Sequence, residues 1–302
     1  MSNIISTKVK FVRNLKNCNF ESNIYDKQQQ DILKLCMDAT NTCGLKSVEL
    51  SDLSDKVVNN LLAQDLLEHD FVYIGSNQGY ANKDNITVQI NSRNHIEIFA
   101  RDNNIYEAYS KAKEIDKKLC NKLNFAYNDK YGFLTPDIKN IGSGMSVEFK
   151  VLLPALAKIR ALDKLPNVSD KLVFDVTCLD TQSGLCVITT SATLGYTEKQ
   201  ICELAQNYVN KLLQLEIETA KKLSSNSDDV EDKSRRAKAI LKSCLKITAD
   251  ESYVLVGDVL IAINAGIEKD ITLEQIHQVL NNIKLHEKDF NILAKEIQKI
   301  LK

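Results

Sequence analysis

Residues 131–156 read YGFLTPDIKNIGSGMSVEFKVLLPAL and change character twice along their length. The first half is a polar loop in which Gly142 and Gly144 bracket Ser143. Two glycines so close mark a tight turn, and Gly-Ser-Gly alone is too short a signal for a phosphate-cradling loop. Residues 145–153 are rich in apolar and β-branched residues, as expected of a buried strand. Leu153-Pro154-Ala155-Leu156 closes the run. Asp137 and Lys139 lie in the polar half, and an aspartate there reads first as an exposed loop residue.

Outward from this stretch the chain alternates between strand and helix patterns. Residues 87–90 and 95–100 read as β runs joined by the turn-rich Asn91-Ser92-Arg93-Asn94. Between 104 and 124, Ile105, Ala108, Ala112, Ile115, Leu119 and Leu123 recur at three- and four-residue steps, the mark of an amphipathic helix. Residues 172–190 are strand-like. Thr197 with Gln200 forms a capping-box pattern that opens a helix reaching about residue 222. The polar, acidic run 223–234 predicts a linker or exposed loop. Helical patterns follow over 235–245, 250–265, 272–284 and 286–302. The expected division is a mixed α/β domain over 1–225 and a helical domain over 226–302. In the latter, Leu273, Ile276, Leu280 and Ile283 make an apolar stripe suited to internal packing or to dimerisation.

Composition narrows the function classes. The 302 residues are 44% hydrophobic and 26% charged, with a formal net charge of −1. That balance gives no electrostatic case for nucleic acid or an anionic membrane as partner. No apolar run approaches the roughly 20 residues of a membrane span, and the first residues lack a signal-peptide core, so a cytoplasmic location is expected. Eight cysteines form no CxxC pair and the four histidines are scattered, so no metal site is expected and the thiols read as reduced, mostly buried, small hydrophobes.

The opening stretch also resembles the active-site segment of the ATP:guanidino phosphotransferases, or phosphagen kinases, in which Gly-Tyr-Leu-Thr-x-Cys-Pro-Thr-Asn-x-Gly-Thr-Gly-Leu-Arg-Ala-Ser-Val precedes a strand and Leu-Pro-x-Leu. Gly132, Leu134, Thr135, Asn140, Gly142, Gly144 and 153–156 match. The reactive cysteine position reads Asp137, the Pro-Thr reads Ile138-Lys139 and the arginine position reads Ser146. Residues 5–15 resemble the family's Ser-Ser-Arg-x-Arg-Leu-Ala-Arg-Asn-Leu, with Lys8 and Lys10 at its first two arginines and Arg13-Asn14-Leu15 intact. Asn91 and His95 match Asn-Glu-Glu-Asp-His-Leu-Arg-Ile, while the acidic positions read Ser92, Arg93 and Asn94 and the arginine reads Glu97. Thr193-Leu194-Gly195 with Thr197-Glu198 matches Thr-Leu-Gly-x-Ser-Glu. Nothing of the family's Arg-Gly-Ile-Tyr-Gly-Glu-Gly remains near 172–178.

The resemblance implies an α+β fold: a mostly antiparallel sheet flanked by helices, then a small all-helical C-terminal domain as in the bacterial protein-arginine kinases. It implies a cytoplasmic kinase-type transferase scaffold. Phosphoryl transfer to a guanidinium rests on arginine forks that grip phosphate and a carboxylate that holds the acceptor. Ser92, Arg93, Glu97, Ser146 and Leu172 supply none of this, and Glu97 and Arg93 reverse the sign. One lost transition-state donor costs on the order of 10²–10³ in rate. The expectation is a pseudokinase with no catalytic residues, its degenerate positions being Ser92, Arg93 and Asp137. Lys8, Lys10, His95 and Asn140 are the residues left to touch a nucleotide, although the ordinary reading of His95 is a hydrogen-bonded structural residue.

No cofactor is expected on that reading. The alternative, an active enzyme using Mg-ATP, needs Lys8, Lys10 and Lys139 in place of arginines and Asp137 or Glu148 as the carboxylate. Expected partners are proteins: an active protein-arginine kinase, its activator or the Clp unfoldase–protease, or a second copy of the chain. A C-terminal phosphoarginine pocket of Arg-Asp-x-x-Arg-Ala type finds only Asp289 within 288–294.

Overall fold

A computed structural model describes residues 3–20, 26–73, 77–169 and 172–302. Its centre is β1 (Ile4–Arg13), flanked by β5 (Ile96–Asp102) and β8 (Met145–Leu152). Beyond β5 lie β4 (Ile86–Ile90), β3 (Gly79–Lys83) and β2 (Ser47–Glu49). Beyond β8 lie β11 (Leu185–Ser191), β10 (Leu172–Asp180) and β9 (Val168–Ser169). Each pairing in this nine-stranded sheet is antiparallel. A separate hairpin joins β6 (Tyr127–Asn128) to β7 (Gly132–Phe133).

Alternation along the strands sends Val9, Phe11, Ile96, Ile98, Val147 and Phe149 to one face. They share a core with helices α1 (Asp26–Thr42), α3 (Ile105–Cys120) and α5 (Glu198–Leu223). The sequence reading fits closely here. The 104–124 helix starts at its N-cap Asn104, whose side chain accepts from the Tyr106 and Glu107 amides. The Thr197–Gln200 capping box closes reciprocally. Helix α1, the short α2 (Asp55–Ala63) and strands β2 and β3 carried no clear pattern and were not foreseen.

The linker expected at 223–234 is instead helical. A 3₁₀ turn over Ser224–Asn226 leads into α6 (Ser227–Ser243). Acidic Asp228 and Asp229 suit its N-terminal dipole. Asp229–Lys233, Glu231–Arg235 and Asp232–Arg236 are ion-paired at i,i+4. A polar run without apolar periodicity therefore reads as loop while its charge spacing builds a helix. Helices α7 (Ala249–Asn264), α8 (Leu273–Leu285) and α9 (Phe290–Leu301) follow and share an apolar core with α6. Ile276, Leu280 and Ile283 are fully buried in it, so the stripe is spent inside the chain apart from the exposed Leu273. Ile5, Leu152 and Leu185 from the sheet enter the same core.

Arg13 ties the sheet to the opening stretch. Its guanidinium is completely buried and meets Asp116 of α3 with Nε–Oδ1 2.8 Å and Nη2–Oδ2 3.0 Å. Its Nη1 donates to the carbonyls of Val12 and Ser143, and it lies 3.6 Å from the Phe133 ring centre. Gly144 runs against it at φ +60°, where a Cβ would sit 2.5 Å from Arg13 Nη1. Gly144 is thus required by close packing on Arg13. At the far end of the stretch, Glu216 of α5 accepts from the amides of Ala155 (2.7 Å) and Leu156 (2.9 Å), satisfying the start of the short helix α4 (Pro154–Lys158).

Two measurements check these ties. Asp116→Asn leaves a buried guanidinium without its charge partner and should cost about 3–5 kcal/mol in urea unfolding; a loss below 1 kcal/mol would refute the tie. Burial pushes the Glu216 carboxyl up to about 7 against the pull of its two amide donors. A carboxyl raised on folding stabilises fully below its unfolded pKa, and that stability fades as pH rises towards 7. Relative to Glu216→Gln, the parent should therefore lose about 2–3 kcal/mol between pH 5 and pH 8. Parallel stability curves would exclude it.

Candidate functional site

The face of the sheet away from α1, α3 and α5 brings together the positions that the sequence comparison assigns to phosphate-gripping arginines. Lys10 lies opposite Ser146 on β8, and Glu97 lies opposite Val12 across the β1–β5 ladder. Lys8 sits between Arg101 on β5 and Glu148 on β8. Lys8, Lys10, Glu97 and Ser146 thus share one face of three adjacent strands. Leu172 does not join them: it is buried with Phe174 in the helix-side core.

Carboxylates already fill this face. Lys8 Nζ is 2.9 Å from Glu68 Oε1 and 3.0 Å from Glu148 Oε2. Lys10 Nζ is 2.8 Å from Glu68 Oε2 and 3.1 Å from Glu97 Oε2. Glu68 thereby spans both lysines, one oxygen to each. It is delivered by the segment after α2, where Leu67 and Phe71 are buried beside Tyr80 and Leu62. Its own amide donates to Gln89 Oε1 at 2.9 Å. Burial opposes charge on Lys10, but Glu97 and Glu68 outweigh it and hold the ammonium well above the usual lysine range. Lys8 is raised in the same way, against burial, by Glu68 and Glu148. Burial likewise works against the Glu68 carboxylate, yet the two lysines hold it far below the usual range. Lys8, Lys10 and Glu68 are therefore all charged at neutral pH.

The periphery is also cationic. Lys284 of α8 meets Asp65 at 3.0 Å. Burial and then Asp65, Glu148 and Glu68 set the environment of Arg101, whose Nη1 has no hydrogen-bond partner among the described residues. Glu68, Asp65 and Arg101 were missed by sequence reasoning. The 64–70 segment has no motif or period, and only its fold-back onto the sheet gives Glu68 a role.

The remaining candidates lie elsewhere. His95 is buried: Nδ1 accepts from the Leu15 amide at 2.9 Å, and Nε2 lies 3.0 Å from the Asn19 carbonyl, to which it must donate. Burial lowers its pKa, as suits a neutral ring held by two backbone groups. Asn14 accepts from the His95 amide and donates to Asn94, which donates to Glu97. Ser92 is buried in the β4–β5 turn, while Arg93 is exposed and lies 3.4 Å from Asp70. Asp137 caps a 3₁₀ turn over Ile138–Asn140 by accepting from the Lys139 amide, and Asn140 belongs to that turn. Lys139 pairs with Asp175 at 3.1 Å. Glu148 therefore joins Lys8 and Lys10, whereas Asp137, Lys139, Asn140 and His95 make their contacts elsewhere. Asp289 is spent as the N-cap of α9, accepting from the Ile292 amide. A cavity of about 590 Å³ opens between Tyr131, Gly142 and the start of α5, but Lys8, Lys10, Glu97 and Glu148 do not line it. Among the described residues no group of three His, Cys, Asp or Glu is placed to hold a metal, and no helix is long and apolar enough to cross a membrane.

Comparison with known proteins agrees with the fold. Residues 27–219 match the ATP:guanido phosphotransferase C-terminal catalytic domain. The chain is 24% identical to the protein-arginine kinase of Halothermothrix orenii over 89% of its own length and 80% of that protein. It is also 24% identical to that of Clostridium perfringens strain 13, covering 99% and 95%. Among solved structures, lombricine kinase superposes with a TM-score of 0.60 at 16% identity, over 71% of this chain and 66% of that one. The duplicated taurocyamine kinase of Schistosoma mansoni gives 0.62 at 18%, over 71% and 33%. Those superpositions speak for the fold. With well over half of its length matched to the family's catalytic domain, this chain belongs to the ATP:guanido phosphotransferase family.

Proposed function

We propose that this protein is a catalytically silent relative of the protein-arginine kinases that acts through contacts with other proteins. The observation that carries the reading is the double grip of Lys8 and Lys10 on Glu68. A carboxylate of the chain itself stands where a phosphate oxygen would have to be held, and Glu97 and Glu148 complete the neutralisation. Phosphoryl transfer needs surplus positive charge and preorganised donors at that point. Here Lys8, Lys10 and Arg101 face Glu68, Glu97 and Glu148, so the face carries no surplus positive charge, and Ser146 adds none. The acceptor side is equally unfavourable: exposed Arg93 would repel an incoming guanidinium. No cofactor is needed for this role, and a cytoplasmic setting suits it. The partners that fit are an active protein-arginine kinase, its activator, the Clp unfoldase–protease, or a second copy of the chain.

The alternative of an active enzyme draws support from one contact, the approach of Glu148 to Lys8. It is weakened because that carboxylate is consumed by the lysine and because Asp137 caps its own turn.

Thermal unfolding with Mg²⁺-ADP or Mg²⁺-ATP at millimolar concentration should leave the parent protein unchanged. A ligand at 100 times its Kd would add about 2.7 kcal/mol, which such a measurement resolves easily. Radiolabelled ATP should likewise place no phosphate on arginine-rich protein substrates. A saturable shift or arginine phosphorylation sinks the proposal.

Glu68→Gln tests the grip itself. It leaves two partly buried lysines short of a carboxylate and should cost about 3 kcal/mol. In the folded variant, Mg²⁺-ADP should then produce a shift that the parent lacks. A variant as stable as the parent and equally indifferent to nucleotide would show that Glu68 does not occupy the site.

A further inference from the structure

We propose that Cys178 and Cys186 form an oxidation site: a cross-strand thiol pair that peroxide converts into a disulfide. The two residues are direct register partners in the β10–β11 ladder. Directly opposed residues of an antiparallel pair have Cα atoms about 4.5–5.5 Å apart. Disulfides form across about 4.4–6.8 Å, so no strand has to move to bring the sulfurs together. The side chains also share a face. Cys186 is fully buried in the helix-side core, and Cys178 packs against that same core. The ladder shifts register between Cys178 and Asp180, so the regular pairing is interrupted right beside the pair.

The two thiols are not equivalent. Cys178 is half-buried and lines a cavity of about 830 Å³ together with Phe174 and Lys164, which opens a route for a small oxidant. On this side β9 pairs with Leu172 and Val173 only, at the other end of β10. Cys186 has no such exposure; burial, then the neighbouring Cys178, Glu216 and Asp180, push its thiol far above the usual range. Cys178 is therefore the sulfur that meets oxidant, and Cys186 is the one that resolves it. In the first step the Cys178 thiolate displaces hydroxide from hydrogen peroxide, giving a sulfenic acid and, with one proton, water. In the second, the Cys186 sulfur attacks Cys178, the S–O bond breaks, and the Cys186 proton leaves with the hydroxyl as a second water. Two thiols and one peroxide become one disulfide and two waters. The product links the tip of the hairpin, next to Leu185, which packs into the core of the C-terminal helices.

The test treats the full chain with hydrogen peroxide, blocks remaining thiols with an alkylating agent, and maps the tryptic fragment 172–199, which holds both cysteines. The expected result is a fragment lighter by two hydrogens, unalkylated at either cysteine, and restored to double alkylation by dithiothreitol. Cys178→Ser should leave Cys186 reduced and alkylated, whereas Cys186→Ser should drive Cys178 on to its sulfinic acid. The idea is overturned if the parent's Cys178 accumulates as sulfinic acid with Cys186 free. It is equally overturned if the disulfide forms between other cysteines or between chains, or if both thiols stay alkylatable while the exposed Cys120 is oxidised.

Discussion

A cation removed from water on the surface of a sheet must be met by a carboxylate, and this requirement organises the whole of β1. Moving a charge out of water costs several kcal/mol, which only close partners and further hydrogen bonds return. Arg13 meets the condition on the helix side through Asp116, the carbonyls of Val12 and Ser143, and the ring of Phe133. Lys8 and Lys10 meet it on the opposite side through Glu68, Glu97 and Glu148. Strand alternation alone decides which cation faces which partner set. The first set fixes the loop of 131–144 against the sheet; the second draws the 64–70 segment across it.

The two sides differ in what their partners leave available. Arg13 offers five donors in a planar fork, and the fold uses both edges of it, so it has nothing to offer a ligand. Lys8 and Lys10 are point charges on flexible stems, and a carboxylate can satisfy them as well as a phosphate oxygen can. Glu68 exploits that tolerance by presenting one oxygen to each. A planar fork at either position would carry more donors than one shared carboxylate can fill. A point charge and an internal acid therefore suit one another on this face.

Much of the fold was legible because its signals are local. The α3 periodicity, the Thr197–Gln200 box and the apolar run of β8 each depend on residues within a few positions of one another, and each is found where the pattern put it. The 223–234 run failed for a physical reason. Its helix is held by charge pairs four residues apart, whereas the composition resembles that of a linker. The site was only half legible. Motif comparison located Lys8, Lys10, Glu97 and Ser146, but Glu68 lies about sixty positions from the lysines it joins. No period or motif marks it; its meaning comes entirely from tertiary folding. His95 shows the reverse. It matches the family pattern, yet both of its ring nitrogens are committed to backbone groups at Leu15 and Asn19.

That contrast separates the residues that hold the frame from those that line the opposite face of the sheet. Arg13, Asn14, Gly144 and His95 match the family because each supports the fold itself: a buried ion pair, an amide bridge, a close approach and a backbone clasp. Changing any one of them leaves a buried polar group unpaired or forces two chains apart. Lys8, Lys10, Glu97 and Ser146 share the opposite face of the sheet, where the constraint is that charges balance. Glu97 is balanced there by Lys10, and Ser146 has no charge to balance. A phosphate oxygen approaching Lys8 or Lys10 would have to displace a carboxylate from an ammonium group that Glu68, Glu97 or Glu148 already holds.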